Sequence, residues 1–437
     1  MGVWDFAEDD VNELTHGFHL YPAKLNPHIV RRLIKQYGNN SKNLWDPFCG
    51  SGTALVEGRL AGLDVYGNDI NPTAIEISLS KTQNYQIQDL KNLISNVIEK
   101  IKGAKLLPLT ESIEYSGLDT EKIMNWFNEK NVREIATSLK IIDDIAYINQ
   151  SKESSVRFAK MCLSDCIRKV SFQRGNEWKL YRVKDWREGK SDSSSYKPLF
   201  PIFRKKINEN LISVIEYSER LQSLNFDHET EYHISANDCA KTIQGMEKIL
   251  GEDGFDLVIT SPPYGDSPTT MAYEQFSWLP NVWLGLDNRN PGKLAKEMLG
   301  GVLAKKIEKT GNKTVDGAID KIKARKKEGR SKEQEIKLTK ELKLKNYSFY
   351  RDYLKSIRNI VSLVKIGGFV CFILGNRISG GQEMRLDLFT DWAFKECGFK
   401  KVGATKKRKI RNTRMPKSNP SGPTMNYEYI VVFKKLI

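Results

Sequence analysis

Long apolar runs are missing from this 437-residue chain. No stretch approaches the roughly 18 consecutive apolar residues that a bilayer-crossing helix needs. The opening MGVWDFAEDD holds neither the cationic patch nor the apolar core of a secretory signal. A soluble cytoplasmic protein with no membrane partner is expected. Cysteine is scarce too, with six residues at 49, 162, 166, 239, 371 and 397. Cys162 and Cys166 alone lie close together, at a spacing that puts both on one helix face. Without matching Cys or His pairs nearby, no metal site is expected, and reduced structural thiols are the reading. Acid is in deficit: 54 Asp and Glu face 69 Lys and Arg, a formal charge of +15. Such an excess of cations points to a polyanionic partner, with nucleic acid favoured over an anionic membrane surface.

The length allows one core with large insertions or two domains. Four apolar runs read as strands, NLWDPF (43–48), LDVYGND (63–69), YHISAND (232–238) and FDLVITS (255–261). Between the first two, Ala54, Leu55, Leu60 and Leu63 recur at helical spacing, so the segment is a strand–helix–strand unit. Residues 349–366 read as an amphipathic helix stopped at Gly367 and Gly368, followed by a buried strand over 369–374. RLDLFTDWAFKECGF reads as a helix ending at Gly398, and NYEYIVVFKK as a strand paired near KKVGATKKRK. The expected fold is α/β, a Rossmann-like sheet with two large, mainly helical insertions. Its divisions are 1–84 and 229–265 as core, 85–228 and 266–345 as insertions, and 346–437 as the C-terminal part of the core.

In DPFCGSGTALVEG, Gly50 and Gly52 follow a strand and precede a helix, where the backbone turns sharply and approaches a ligand closely. One strand later, Asp69 stands where a carboxylate accepts ribose hydroxyls, and Ile70 is placed to pack on an adenine. Asp238 ends a third strand and is placed to reach the adenine amino group. Each aspartate alone is as readily a helix N-cap; three at successive strand ends favour a ligand. GSGT lacks both the lysine of a P-loop and the third glycine of the dinucleotide fingerprint. Adenosine without a phosphate chain is therefore the expected cofactor class.

The stretch TSPPY then follows FDLVI directly. Together these motifs resemble the amino-methylating DNA methyltransferases of restriction–modification systems, with DPFCGSGT matching the S-adenosylmethionine loop and Ser261, Pro262, Pro263 and Tyr264 the catalytic tetrapeptide. The resemblance implies a Rossmann-like methyltransferase sheet with S-adenosylmethionine as cofactor. Asp46, Phe48, Gly50, Gly52, Thr53, Asp69, Ile70 and Asp238 would be its ligands. Serine in first place is common among members that methylate cytosine N4, and adenine N6 stays open as the alternative. By the family's mechanism, the Ser261 hydroxyl and the Pro262 carbonyl accept the two amino hydrogens, and Tyr264 stacks on a base flipped out of the duplex. Two prolines fix φ and lack N–H donors, so the loop presents carbonyls in a set geometry. Cytosine C5 chemistry is disfavoured because no cysteine flanks Ser261.

HGFHLYPAKLNPHIVRRLI resembles the segment that closes over the methionine moiety, with His19, Tyr21, Pro22 and Lys24 as the candidates; a plain loop into a helix starting near Pro27 is the other reading. The resemblance covers 16–84, 230–265 and 346–437. Only about 20 residues separate Asp238 from Ser261, so target recognition would lie in the insertions. In the first, Arg168, Arg174, Lys179 and Arg182 interleave with Phe172, Trp178 and Tyr181, which suits phosphate contact plus stacking, or a charged helix surface. Lys407, Arg408, Arg411 and Arg414 lie in an acid-free basic segment that reads as a DNA-facing loop. The lysine-rich 305–345 run is a DNA-backbone contact or a solvated helix. The expected partners are double-stranded DNA and a cognate restriction endonuclease. An RNA methyltransferase and a noncatalytic DNA-binding subunit remain as rivals.

Overall fold

Where the chain changes direction across its sheet decides what this fold can bind. The computed structural model describes residues 4–6, 9–175, 178–182, 197–224, 226, 229–239, 254–267, 270–326, 328–410 and 425–436. The strands are β1 (Asn43–Asp46), β2 (Asp64–Asp69), β3 (Tyr232–Ala236), β4 (Phe255–Thr260), β5 (Val364–Gly375), β6 (Arg377–Ser379), β7 (Gln382–Met384), β8 (Phe399–Lys401), β9 (Lys406–Lys409) and β10 (Tyr427–Lys435). Among the described residues, all but β6 and β7 join one eight-stranded sheet of order β3-β2-β1-β4-β5-β10-β8, with β9 also paired to β10. The neighbours from β3 to β5 are parallel; β10 is antiparallel to β5, β8 and β9. The ribbon β6–β7 stands apart.

The chain lays β2 and β3 to one side of β1, then crosses to lay β4 on the other. A crevice opens outside the carboxyl ends of the strands at such a reversal. Topology alone thus brings residues 47–53 and 261–267 together.

The helices are α1 (Pro27–Tyr37), α2 (Thr53–Leu60), α3 (Pro72–Thr82), α4 (Ile87–Lys102), α5 (Leu109–Ser116), α6 (Thr120–Met124), α7 (Glu129–Ile148), α8 (Glu153–Val170), α9 (Leu199–Ser223), α10 (Tyr273–Trp283), α11 (Pro291–Glu297), α12 (Lys313–Asp320), α13 (Lys332–Leu363) and α14 (Leu386–Glu396). Local chemistry starts them where expected: Asn26 accepts from the His28 N–H with Pro27 at N1 of α1, and Ser331 and Gln334 form a capping box on α13.

Period-two alternation along the strands feeds two cores. Leu257, Ile259, Cys371, Ile373, Ile430 and Val432 pack with Ile29, Leu33 and Leu55 of α1 and α2. Val258, Val370, Phe372, Val431 and Phe433 face the other way, against Tyr353, Ile357 and Ile360 of α13 and Phe394 of α14. The arrangement is an α/β sheet with helices on both faces, as the sequence reading expects. A third core joins α4, α7, α8 and α9 to Phe276, Leu279 and Trp283 of α10. The two inserted blocks therefore meet in one core.

Two boundaries differ from the reading. The helix before β5 ends at Leu363, not at the glycines. Val364 already pairs with Phe255, and the register then jumps to Leu257↔Phe369, so Gly367 (φ +84) and Gly368 form a bulge inside β5. The division at 345/346 falls within α13, because one continuous helix has an exposed lysine-rich start and a buried aromatic end.

Candidate active site

β1 ends at Asp46, and the chain must turn at once into α2. Gly50 (φ +51) and Gly52 (φ +74) supply the left-handed conformations this turn requires. The turn is tied from several sides. The Gly50 N–H donates to Asp69 Oδ2 at 3.0 Å, Ser78 Oγ donates to the Gly50 carbonyl at 2.9 Å, and Lys81 Nζ donates to the Ser51 carbonyl at 2.6 Å. Asp46 Oδ1 accepts from the Phe48 N–H at 3.1 Å and from Thr260 Oγ1 at 2.6 Å, which joins this loop to the residue just before Ser261. Burial pushes the Asp46 carboxyl up to about 7 and that of Asp69 up to about 6, against the hydrogen bonds each accepts.

A cleft with about 950 Å³ of empty space, part of it open to solvent, lies over these strand ends. Of the residues expected from sequence, Tyr21, Pro22, Lys24, Asp46, Phe48, Gly50, Thr53, Asp69, Ile70 and Asp238 line it, as do Ser261 and Pro263. The N-terminal segment lies directly on the loop: a Cβ on Gly50 would stand 3.5 Å from the Tyr21 ring. Asn71 donates to the Tyr21 hydroxyl at 3.1 Å, and Tyr273 of α10 stacks on Tyr21 at 5.9 Å. Ala23 carries φ +52, an uncommon conformation for a non-glycine residue, and it too lines the cleft.

His19 does not reach the cleft. Its Nε2 is 3.1 Å from Ser164 Oγ, and Nδ1 is 2.7 Å from the Leu20 carbonyl, inside the protein against α8. Burial pulls it down to about 4, so it is neutral at physiological pH. Gly52 is also off the cleft wall, because its role is packing: a Cβ there would sit 2.9 Å from Ser78 Oγ.

Beyond β4 the chain bends at Tyr264 and Gly265. Ser261, Pro263, Gly265 and Ser267 line the cleft, whereas Pro262, Tyr264 and Asp266 do not. The Tyr264 ring instead lies on Gly375, where a Cβ would come within 2.5 Å of Tyr264 Cδ2. Its hydroxyl is 3.0 Å from Ser261 Oγ and donates to Glu428 Oε1 at 3.1 Å. Tyr264, expected from the motif to stack on a base, is not among the rings on this cleft wall, which are Tyr21, Phe48 and Tyr273. Asp266 is held by Arg377 of β6 at 2.9 Å, with 4% and 11% of their side chains exposed.

The residues expected to contact DNA lie elsewhere. Arg168 donates to the Phe276 carbonyl at 2.9 Å and lies 4.0 Å over its ring, and burial lowers its guanidinium to about 9. Trp178 packs on the same ring, Arg174 donates to the Arg182 carbonyl, and Arg182 donates to Asn125. Lys179 accepts from Gln173 through its carbonyl. Lys407 caps the Tyr427 ring at 3.9 Å, and Arg408 binds Glu428. Arg411 and Arg414 lie outside the described residues. Among the described residues, no three His, Cys, Asp or Glu gather as a metal site, and no helix is long and apolar enough to cross a membrane.

Glu428, Tyr273, Gly375 and Arg377 are absent from the sequence reading. Each comes from a segment remote from the motifs it serves, so spacing gave no signal for them.

The chain is similar in sequence to known proteins. A profile described as DNA methylase matches residues 2–80. The chain is 30% identical, over 99% of its length and 93% of the relative, to the type II methyltransferase M.MvaI of Kocuria varians. It is 33% identical to M.MjaII of Methanocaldococcus jannaschii over 29% of this chain and 24% of that protein. With M.BsoBI of Geobacillus stearothermophilus it shares 21% identity over 66% of this chain and 56% of that protein.

Proposed function

The chain belongs to the DNA amino-methyltransferase family of restriction–modification type, and from that membership we propose that it methylates the N4 amino group of cytosine in duplex DNA. S-adenosylmethionine is the methyl donor, and when bound it supplies an electrophilic methyl on a cationic sulfur. The cleft suits it: Asp69 and Asp238 offer carboxylates for hydroxyl and amino donors, Phe48 and Ile70 offer apolar surface, and Lys24 offers a cation for a carboxylate.

One observation carries the reading: Ser261 and Pro263 line the same cleft as Gly50, Asp69 and Asp238. An exocyclic amino nitrogen is a poor nucleophile while its lone pair is delocalised into the ring. Ser261 Oγ on the cleft wall would accept one amino hydrogen, and the Pro262 carbonyl, next to it in the chain though not on that wall, is proposed for the other, favouring a nitrogen lone pair directed at the methyl. The serine in first place supports cytosine over adenine. A base inside a duplex cannot reach this cleft, so base flipping is part of the proposal. We assign target reading to the blocks 85–228 and 266–345, and a restriction endonuclease of the same site is the partner that the family suggests.

Methyl transfer from labelled S-adenosylmethionine to mixed-sequence duplex DNA, followed by mass spectrometry of the nucleosides, tests this. N4-methylcytosine is the expected product. N6-methyladenine would overturn the base assignment, and label found in RNA alone would overturn the substrate class.

A further inference from the structure

Ser261 must act as an acceptor toward an amino group, yet a hydroxyl is equally a donor. Something has to decide which way its hydrogen points. The structure holds a chain of contacts behind it that does so. Register places Arg408 of β9 opposite Glu428 of β10, and Arg408 Nε and Nη2 each donate to Glu428 Oε2 at 2.7 Å. The other carboxylate oxygen, Oε1, accepts from the Tyr264 hydroxyl at 3.1 Å, and that hydroxyl is 3.0 Å from Ser261 Oγ. Neither Tyr264 nor Glu428 lines the cleft.

The polarity of this chain follows from counting hydrogens. A carboxylate paired with a guanidinium has none, so it can only accept. Burial holds the Tyr264 phenol well above its ordinary range, so it stays protonated. Its single hydrogen goes to Glu428, so in the contact with Ser261 the tyrosine oxygen accepts and the serine donates. The Ser261 hydrogen therefore points away from the cleft, and its lone pairs remain for the substrate.

We propose that Glu428, oriented by Arg408, is a positioning residue that fixes the Ser261 hydroxyl as an acceptor toward the target amino group. The inference rests on the reading of Ser261 given above.

Glu428→Gln tests it with an isosteric change. The two Arg408 donors require an oxygen, so the glutamine amide would turn its NH₂ toward Tyr264. Tyr264 then accepts, its hydrogen turns to Ser261, and the serine hydrogen is released toward the amino group it should accept from. Single-turnover methyl transfer to DNA is expected to fall by about tenfold or more, the factor for one hydrogen bond lost in the transition state. The dissociation constant for S-adenosylmethionine should stay at the wild-type value, whereas the melting temperature should fall, because Arg408 loses its carboxylate partner. Tyr264→Phe severs the chain, so Tyr264→Phe/Glu428→Gln should match Tyr264→Phe alone and run faster than Glu428→Gln alone. Wild-type turnover in Glu428→Gln overturns the proposal. So does a double variant slower than both single ones, which is the signature of a purely structural role. If the wild-type protein methylates no DNA, the reading of Ser261 fails and the proposal with it.

Discussion

Asp69 holds the Gly50 N–H on one oxygen and the Asn71 N–H on the other, at 3.0 and 2.8 Å. Burial keeps its carboxyl protonated up to about pH 6. Ribose hydroxyls are donors and need the ionised form, so binding of the nucleoside favours loss of that proton. Affinity for S-adenosylmethionine should therefore fall as pH drops below about 6, approaching tenfold per pH unit. Equilibrium dialysis between pH 5 and 8 measures it. Asp69→Asn should bind more weakly throughout and lose that slope, and a flat wild-type profile would sink the assignment. Asp46 titrates near 7 and contributes its own step, which Asp46→Asn isolates. Both aspartates were legible in the sequence because they sit at strand ends beside glycines. His19 was not, since the chain bends there and turns the ring to Ser164 and Asp165 of α8. Glu428 was illegible for a different reason: in NYEYIVVFKK it occupies the polar place of an alternating strand, and its partner Tyr264 lies 164 residues earlier.

Among the elements, the loop after β4 depends most on a neighbour that the sequence does not announce. Arg377 of β6 pairs with Asp266 and also donates to Asn346 at 2.8 Å, with Gly265 packed against its guanidinium. Replacing Arg377 by Met would leave the Asp266 carboxylate buried without this cation, at a cost of about 3–5 kcal/mol. Urea unfolding should show that loss, and Arg377→Met/Asp266→Asn should recover part of it. Equal stability of Arg377→Met and wild type would contradict the clamp. The strands around the motifs were readable because buried apolar runs end in turn residues there. Gly367 and Gly368 misled because a glycine pair marks a helix end and a bulge equally well. The jump in register from Phe255↔Val364 to Leu257↔Phe369 separates the two. The docking of α10 on α8 and α3 was equally hidden, since amphipathic spacing shows that a face is apolar but not what covers it.

At the scale of the whole molecule, the formal charge of +15 matters more than any single cation. Several of the arginines singled out from sequence are engaged within the protein, and the exposed lysines that open α13 offer further cations to a polyanion. DNA affinity should fall steeply with salt, the logarithmic slope being about −0.9 per phosphate neutralised. A fluorescence titration between low and moderate salt measures it, and a slope near zero would exclude a phosphate-contacting surface. The place of β10 inside the sheet, between β5 and the pair β8 and β9, also sets a timetable. A ribosome adding roughly 5–20 residues per second takes on the order of ten to thirty seconds to travel from Tyr264 to Glu428. Throughout that interval the nascent chain carries both signature loops without the strand beside β5, so the chain of contacts from Ser261 through Tyr264 to Glu428 closes only after β10 has been made.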